Sequence, residues 1–235
     1  MNLDLVLLPG MDGTARLYSR LVGALPVAWV KSPVQYPADD ISSYEKLLSL
    51  IECTVPTRPY LLVAESYSVP LAIQFAAKRP EHLKGLVLCA GFASSPVRGW
   101  RKAAVRIVSP YLFRVPLQDW ILRRFLVGEG AEVGLIEEVR RAIGLVKPKV
   151  LSSRLVEIFS CDVRDDLARV EVPILYLQAE GDRLVDSGCL EEFLRTQPTI
   201  LVKRISGPHL LFQREPARCV EAIVEFLRWN DSEGY

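Results

Sequence analysis

Short runs of apolar residues recur along this sequence, and most of them are followed by a segment with helical spacing. The first run covers residues 3–8 and stops at Pro9, and apolar residues then recur every three or four positions up to Pro26. A run without polar alternation predicts a strand that is buried on both faces, as in parallel sheets covered by helices. The sequence therefore predicts an α/β fold.

The same reasoning places the other elements along the chain. Strands are predicted at 3–8, 27–31, 60–63, 83–89, 174–178 and 200–205. Helices between and after them are predicted at 17–25, 41–53, 69–78, 189–194 and 217–229. Thr14 is the expected N-cap of the first helix, and Ser42 or Ser43 lies near the start of the second. We expect a mostly parallel sheet of about six strands with helices on both faces.

The alternation is interrupted once, between residues 93 and 166. Helical spacing recurs there at 100–108, 117–126, 132–146 and 150–159, without a strand pattern. The interruption follows the strand at 83–89, so it leaves from the carboxyl edge of the sheet, where open α/β folds bind ligands. We expect a core made of residues 1–92 and 167–235, with residues 93–166 inserted as a helical lid.

Composition disfavours several classes of function. A net charge of +1 over 235 residues gives no broad field that would attract nucleic acid or an anionic membrane. The five cysteines are widely spaced, and none forms the Cys-x-x-Cys pair typical of a zinc or redox site. No apolar run approaches the length that spans a bilayer, and the start of the chain lacks a basic signal segment. We expect a soluble cytoplasmic protein without a metal.

Ser66 lies where a predicted strand turns into a helix, in the sequence Ala64-Glu65-Ser66-Tyr67-Ser68. A serine at such a sharp turn is presented above the sheet as a nucleophile elbow. The usual pattern is Gly-x-Ser-x-Gly, whereas here Ala64 and Ser68, both small, occupy the glycine positions. The alternative is that Ser66 only caps the helix that follows.

A serine nucleophile needs a base, and the sequence has two histidines. His82 precedes the strand at 83–89 and belongs to the opposite edge of the sheet, where we expect a solvated surface residue. His209 follows the last predicted strand, in a loop that can bring it over Ser66. The alternative is a loop histidine without a catalytic role.

An acid that orients the base is expected after another strand. Asp182 comes shortly after the strand at 174–178 and is the first choice. Glu180 and Asp186 remain competitors, because both lie close to it in the chain. The alternative role for Asp182 is a turn or a helix cap.

Two main-chain N–H groups would bind the oxyanion of a tetrahedral intermediate. One belongs to the residue after the nucleophile, Tyr67, and the other to the loop after the first strand. In that loop, Gly10-Met11-Asp12-Gly13, the N–H of Met11 is the candidate. The same glycines would suit any tight strand-to-helix turn.

The loop at 8–13, the elbow at 64–68, the turn at 181–182 and the Gly-Pro-His sequence at 207–209 together resemble the α/β-hydrolase superfamily. That superfamily uses the chain order Ser, Asp, His. Within it, the chain looks like the small cofactor-free bacterial carboxylesterases with a helical lid, such as the pimeloyl-carrier-protein methyl ester esterases. The elbow without glycines departs from the family pattern.

The resemblance implies a serine esterase that acts on a carboxylic ester or thioester. It implies acylation of Ser66 and hydrolysis of the acyl-enzyme by water that His209 activates. Two alternatives stay open: an acyltransferase that uses the same acyl-enzyme, and a non-catalytic member of the fold that binds a ligand.

The expected lid is basic and rich in aromatic residues. Residues 93–161 hold 12 Lys or Arg against 6 Asp or Glu. Arg123 and Arg124 are candidates to meet an acidic partner, such as an acyl-carrier protein or an acyl-coenzyme A, while aromatic side chains line an acyl pocket. The candidate pocket residues are Trp100, Tyr111, Phe113, Trp120 and Phe125. The alternative is a solvated basic face whose apolar side packs on the sheet.

Overall fold

The computed structural model describes residues 3–96, 113–115 and 117–233. Its strands are β1 Asp4–Leu8, β2 Val30–Pro33, β3 Tyr60–Glu65, β4 Leu83–Cys89, β5 Ile174–Ala179 and β6 Leu201–Ile205. They form one sheet in the order β2-β1-β3-β4-β5-β6, and each neighbouring pair is parallel. The predicted parallel sheet of about six strands is confirmed.

Helices cover both faces of the sheet. They are α1 Ser19–Ala24, α2 Tyr44–Thr54, α3 Val69–Ala76, α4 Asp119–Leu122, α5 Val133–Gly144, α6 Pro148–Ser160, α7 Arg164–Leu167, α8 Ser187–Thr196, α9 Leu211–Arg214 and α10 Pro216–Glu233. Turns of 3₁₀ helix at Arg16–Tyr18 and Ser66–Ser68 precede α1 and α3, and a π-helix at Arg123–Val127 continues α4. No helix among the described residues combines the length and apolarity needed to cross a membrane.

Each strand of the sheet centre has two apolar faces, because successive side chains of a strand point to opposite sides. In β1, Leu5 and Leu7 pack on the side of α1 and α10, whereas Val6 and Leu8 pack on the side of α2 and α3. All four side chains are fully buried. The apolar run at 5–8 is therefore explained by burial on both faces of the sheet.

Two local predictions near β1 were wrong. The second strand starts at Val30 instead of residue 27, since Val27 is 97% exposed and the pairing with β1 begins at Val30. Thr14 does not cap the first helix. Its hydroxyl instead donates to the Asp12 carboxylate (2.5 Å), and Ala15, with φ +59°, is the residue before the 3₁₀ turn.

The segment between β4 and β5 leaves and rejoins the core at one place, where Ser94 and Asp162 form an antiparallel bridge. Helices α4 and α5 share an apolar cluster that also contains Leu17 and Leu210. Those two leucines follow β1 and β6, so the segment packs against loops at the carboxyl edge of the sheet. The predicted helix at 100–108 lies outside the described residues.

The strand order reverses direction between β1 and β3. β1 lies between β2 and β3, with α1 on one face of the sheet and α3 on the other. Loops that leave neighbouring strands toward opposite faces diverge, and ligands bind in the crevice between them. Here those loops carry Met11 and Ser66.

Candidate active site

Ser66 occupies a strained turn at the end of β3. Its φ is +50°, in the left-handed region that residues with a side chain seldom adopt. The strand before it is fully buried, and Tyr67 and Ser68 after it are buried as well. Packing on both sides therefore holds the strained turn, while Ser66 itself is only half-buried.

Ser68 does more than supply a small side chain at a glycine position of the elbow. It is fully buried, and its hydroxyl donates to the carbonyl of Pro9 in the loop after β1. The Tyr36 hydroxyl lies 2.7 Å from Ser68 Oγ and donates to it. Ser68 thus ties the elbow to the loop of Met11. In the sequence, the feature that could have indicated this contact was a hydroxyl at a position where the elbow pattern usually has glycine.

The structure brings Ser66, His209 and Asp182 together. His209 Nε2 lies 2.9 Å from Ser66 Oγ, and His209 Nδ1 lies 2.7 Å from Asp182 Oδ2. The side chains of His209 and Asp182 are 5% and 3% exposed. When the Nδ1–H of a neutral His209 donates to Asp182, Nε2 is left to accept the Ser66 hydroxyl proton. The three side chains come from the ends of β3, β5 and β6.

The geometry distinguishes Asp182 from its two competitors. Asp182 Oδ1 accepts hydrogen bonds from the N–H groups of Leu184 and Val185, at 2.8 and 3.0 Å, while Oδ2 faces the imidazole. Glu180 is exposed. Asp186 is also exposed, and its carboxylate caps α8. Only Asp182 of these three forms a hydrogen bond to His209 in the described part of the chain.

A direct contact between two loops sets Asp182 opposite His209. The Gly181 N–H donates to the carbonyl of Gly207 at 2.8 Å. A Cβ atom at position 181 would lie 2.9 Å from that oxygen, closer than real side chains come. Glycine is therefore required where the loops after β5 and β6 touch.

Glu65 is a buried carboxyl that sequence reasoning missed. It is 1% exposed, and Gln213 Nε2 donates to its Oε2 at 3.2 Å. Burial raises the pKa of Glu65 to about 7. A charged residue at the end of an otherwise apolar strand was the signal that could have identified it.

The groups packed around His209 change the pKa of its imidazole. Burial alone would lower the pKa of His209, but the Asp182 carboxylate and, to a smaller extent, Glu65 outweigh that effect, so the pKa is raised above its ordinary value. A base whose protonated form is stabilised in this way is suited to taking a proton from Ser66.

The candidate oxyanion donors lie in two ordered turns. Gly13 N–H donates to the carbonyl of Gly10 at 3.0 Å, which closes a tight turn with Met11 at its corner. Tyr67 follows Ser66 in the 3₁₀ turn, and the Tyr44 hydroxyl donates to the Tyr67 carbonyl at 2.9 Å. Both N–H groups therefore belong to restrained backbone at the carboxyl edge of the sheet.

The aromatic candidates in the segment between β4 and β5 have different environments. Trp100 and Tyr111 lie outside the described residues. Phe113 is half-buried against an apolar cluster at the start of α6. Phe125 is half-buried in the π-helix, whereas Trp120 is 65% exposed. Lining of an acyl pocket by these residues stays a prediction.

The two candidate arginines also differ. Arg123 Nη1 donates to the carbonyls of Glu129 and Ala131, at 3.0 and 2.8 Å, so its guanidinium holds a neighbouring turn. Arg124 is exposed, with its guanidinium carbon 5.8 Å from the centre of the Phe125 ring. Of the pair, Arg124 presents its charge to solvent.

His82 lies at the other end of the sheet. It directly precedes β4, and its carbonyl accepts the Tyr60 N–H at the start of β3. The expectation that it belongs to the edge opposite Ser66 is in agreement with this position.

Solved structures with the same fold are similar over nearly the whole chain. A hydrolase from Oleispira antarctica is 11% identical, with a TM-score of 0.82 over 97% of this chain and 92% of that one. An enol-lactonase from Burkholderia xenovorans is 14% identical, with a TM-score of 0.82 over 97% and 92%. A thermophilic esterase from Thermogutta terrifontis is 20% identical, with a TM-score of 0.74 over 98% and 91%. At these identities the likeness shows the fold alone.

Sequence comparison adds the family. The search against curated proteins found no match. Residues 33–209 match the family described as Serine aminopeptidase, S33. Because this match spans more than half of the chain, and the fold agrees with it, the protein is an α/β hydrolase that belongs to the Serine aminopeptidase, S33 family.

Proposed function

We propose that this hydrolase cleaves a carboxylic ester or thioester through an acyl-enzyme on Ser66. The observation that carries the proposal is the continuous chain of hydrogen-bonding contacts from Ser66 Oγ through His209 to Asp182. A hydroxyl becomes a useful nucleophile when a base accepts its proton and a third group orients that base. These three side chains have the distances that this chemistry requires.

In the acylation step, Ser66 Oγ attacks the substrate carbonyl carbon while His209 Nε2 accepts the hydroxyl proton. Asp182 stabilises the imidazolium that forms. The N–H groups of Met11 and Tyr67 bind the oxyanion of the tetrahedral intermediate. His209 then gives its proton to the leaving alcohol or thiol as the bond to the carbonyl carbon breaks.

In the second step, a water molecule attacks the carbonyl carbon of the acyl-enzyme. His209 accepts a proton from that water and returns it to Ser66 Oγ as the acyl bond breaks. The products are a carboxylic acid and the free serine. Transfer to an alcohol or thiol in place of water would give acyltransferase activity from the same intermediate.

Ester and thioester substrates are favoured over amides by the chemistry of the leaving group. An amine leaves less readily than an alcohol or a thiol, so a peptide substrate needs more assistance at this step. The name of the matched family refers to an aminopeptidase, while two of the similar structures are named as an esterase and an enol-lactonase. A comparison of substrates must therefore include an amide.

We further propose that the segment at 93–166 acts as a lid and that a carrier-linked acyl group is the physiological substrate. Support comes from the excess of basic residues in 93–161 and from the packing of α4 and α5 on loops at the carboxyl edge. An acidic acyl-carrier protein or an acyl-coenzyme A would complement that charge.

The test is a substrate panel with p-nitrophenyl acetate and butyrate, an acyl-coenzyme A, an acyl-carrier protein and an aminoacyl p-nitroanilide. We expect turnover of the esters or thioesters and a loss of at least about 10³-fold in kcat for both Ser66→Ala and His209→Ala. Circular dichroism should show that both variants stay folded. Faster turnover of the anilide than of every ester and thioester, or full activity of Ser66→Ala, contradicts the proposal.

A further inference from the structure

Arg154 is a buried cation that the proposed mechanism does not use. It lies on α6, within the segment between β4 and β5, and is 2% exposed. Arginine keeps its proton in proteins, so a full positive charge is enclosed there. A buried charge is tolerated only with well-placed hydrogen-bond partners. The identity of those partners indicates what Arg154 does.

The guanidinium of Arg154 donates to three main-chain carbonyls. Nη1 lies 2.9 Å from the carbonyl oxygens of both Met11 and Asp12, and Nη2 lies 2.8 Å from that of Pro37. The guanidinium carbon is also 6.0 Å from the centre of the Tyr67 ring. Arg154 therefore contacts both segments that supply the candidate oxyanion donors.

Gly13 indicates how closely the guanidinium fits the turn after β1. The φ of Gly13 is +68°, and a Cβ atom there would lie 2.9 Å from the guanidinium carbon of Arg154. The space that a side chain would take at this position is thus occupied by Arg154.

Because peptide bonds are planar, these contacts restrict the orientation of the Met11 N–H. That N–H shares a peptide plane with the Gly10 carbonyl, which accepts the Gly13 N–H. The next two planes carry the carbonyls of Met11 and Asp12, which Arg154 binds. Three successive planes are therefore fixed, two of them by Arg154.

We propose that Arg154 is a positioning residue, which holds the turn at 10–13 so that the Met11 N–H faces the oxyanion. This inference rests on the proposed function, in which Met11 is an oxyanion donor. It couples the inserted segment to the reaction through the backbone of the loop after β1. In the sequence, Arg154 falls on the apolar stripe of its helix, four residues from both Val150 and Ile158.

The methionine content of the chain allows a direct test. Met1 and Met11 are the two methionines, so ¹⁵N-methionine labelling reports the Met11 amide by NMR. In the wild type we expect one Met11 amide signal that shifts when a trifluoromethyl ketone adds to Ser66. In Arg154→Leu the free-protein signal should move or broaden, and the shift on addition should be lost. For p-nitrophenyl butyrate, kcat should fall about 10²-fold with KM changed less than about threefold.

Arg154→Lys and Lys31→Leu make the result specific. An ammonium group retains part of the carbonyl contacts, so Arg154→Lys should have an intermediate kcat. Lys31 also donates to two main-chain carbonyls, those of Pro26 and Val27, but near the amino end of β2. Lys31→Leu should keep the wild-type kcat and the wild-type Met11 signal.

A folded Arg154→Leu protein with wild-type kcat and an unchanged Met11 signal overturns the inference. A lower melting temperature of Arg154→Leu with unchanged kcat and an unchanged ketone-induced shift also overturns it, because Arg154 would then only stabilise the fold. Should Arg154→Leu not fold, wild-type kcat and an unchanged shift in Arg154→Lys overturn it. Absence of ester turnover by the wild type refutes the proposed function instead, and the Met11 signal of the free proteins still shows whether Arg154 holds the turn.

Discussion

At the scale of single residues, the candidate site depends on side chains whose conformations are restricted by their neighbours. Ser66 is fixed by a strained backbone, and Asp182 by two N–H groups on one oxygen and the imidazole on the other. His209 is almost fully buried between them. Preorganisation of this kind means that a small chemical change at one of these positions should have a large effect on rate.

Asp182→Asn should lower kcat by about 10³ to 10⁴-fold. The amide keeps the size of the carboxylate, but it cannot stabilise the imidazolium and favours the wrong tautomer of His209. Glu180→Gln and Asp186→Asn are matched controls, which we expect to change kcat less than about twofold. Ester hydrolysis by the three purified variants checks this, and a larger loss at either control position would reassign the acid.

Glu65→Gln should change how stability depends on pH. The pKa of Glu65 is about 7 in the folded protein, compared with an ordinary value of 4.5. A carboxyl with a raised pKa stabilises the fold when protonated, and that contribution is lost as the pH rises through the folded-state value. We therefore expect the free energy of unfolding of Glu65→Gln, measured relative to that of the wild type, to rise by about 3 kcal/mol from pH 4.5 to pH 8.

Urea unfolding across that pH range measures the difference between Glu65→Gln and the wild type. The exposed Glu180 provides the control, since a surface substitution such as Glu180→Gln should change the free energy of unfolding by less than about 0.5 kcal/mol. Parallel stability profiles for Glu65→Gln and the wild type would mean that the buried carboxyl does not titrate in this range.

At the scale of elements, the loops after β5 and β6 act together. Their contact between Gly181 and Gly207 leaves no space for a side chain at position 181. Displacing either loop would separate Asp182 from His209, although neither residue itself would be changed. The distance between the acid and the base is therefore set by the backbone of two connecting loops.

Gly181→Ala should lower kcat/KM by about 10²-fold, since a misplacement of about 1 Å has effects of that size. It should also reduce stability by about 1–3 kcal/mol, because the added methyl group is overpacked. The control is Gly134→Ala on α5, where a Cβ atom meets nothing within 4 Å. That variant should keep full activity, and its thermal stability should be unchanged or raised. Equal activity of the two variants would contradict the account.

The sequence predicts strands better than it predicts their junctions. β4 has the predicted bounds, because every residue of it except Lys84 is buried and the apolar run at 86–89 packs on both faces of the sheet. The N-cap role of Thr14 and the start of β2 were predicted wrongly, since the Thr14 hydroxyl bonds to Asp12 and the start of β2 is set by pairing with β1. Such tertiary contacts leave little trace in local spacing.

At the scale of the whole molecule, the parallel sheet accounts for most of what the sequence could predict about the site. Parallel strands bring all their carboxyl ends to one edge, so residues far apart in the chain meet there. Ser66, Asp182 and His209 were predicted from this rule. Arg154 was not, because its contact with the loop after β1 depends on how α6, between β4 and β5, packs over that edge.

The central claim, that Ser66 is an activated nucleophile, is tested most directly with a fluorophosphonate probe. Such probes modify a serine hydroxyl that a neighbouring base has activated. Mass spectrometry of the digested wild-type protein should find a single adduct on Ser66, with none on Ser66→Ala and much slower labelling of His209→Ala. An unlabelled Ser66 in the folded wild-type protein, or an adduct that persists in Ser66→Ala, would contradict it.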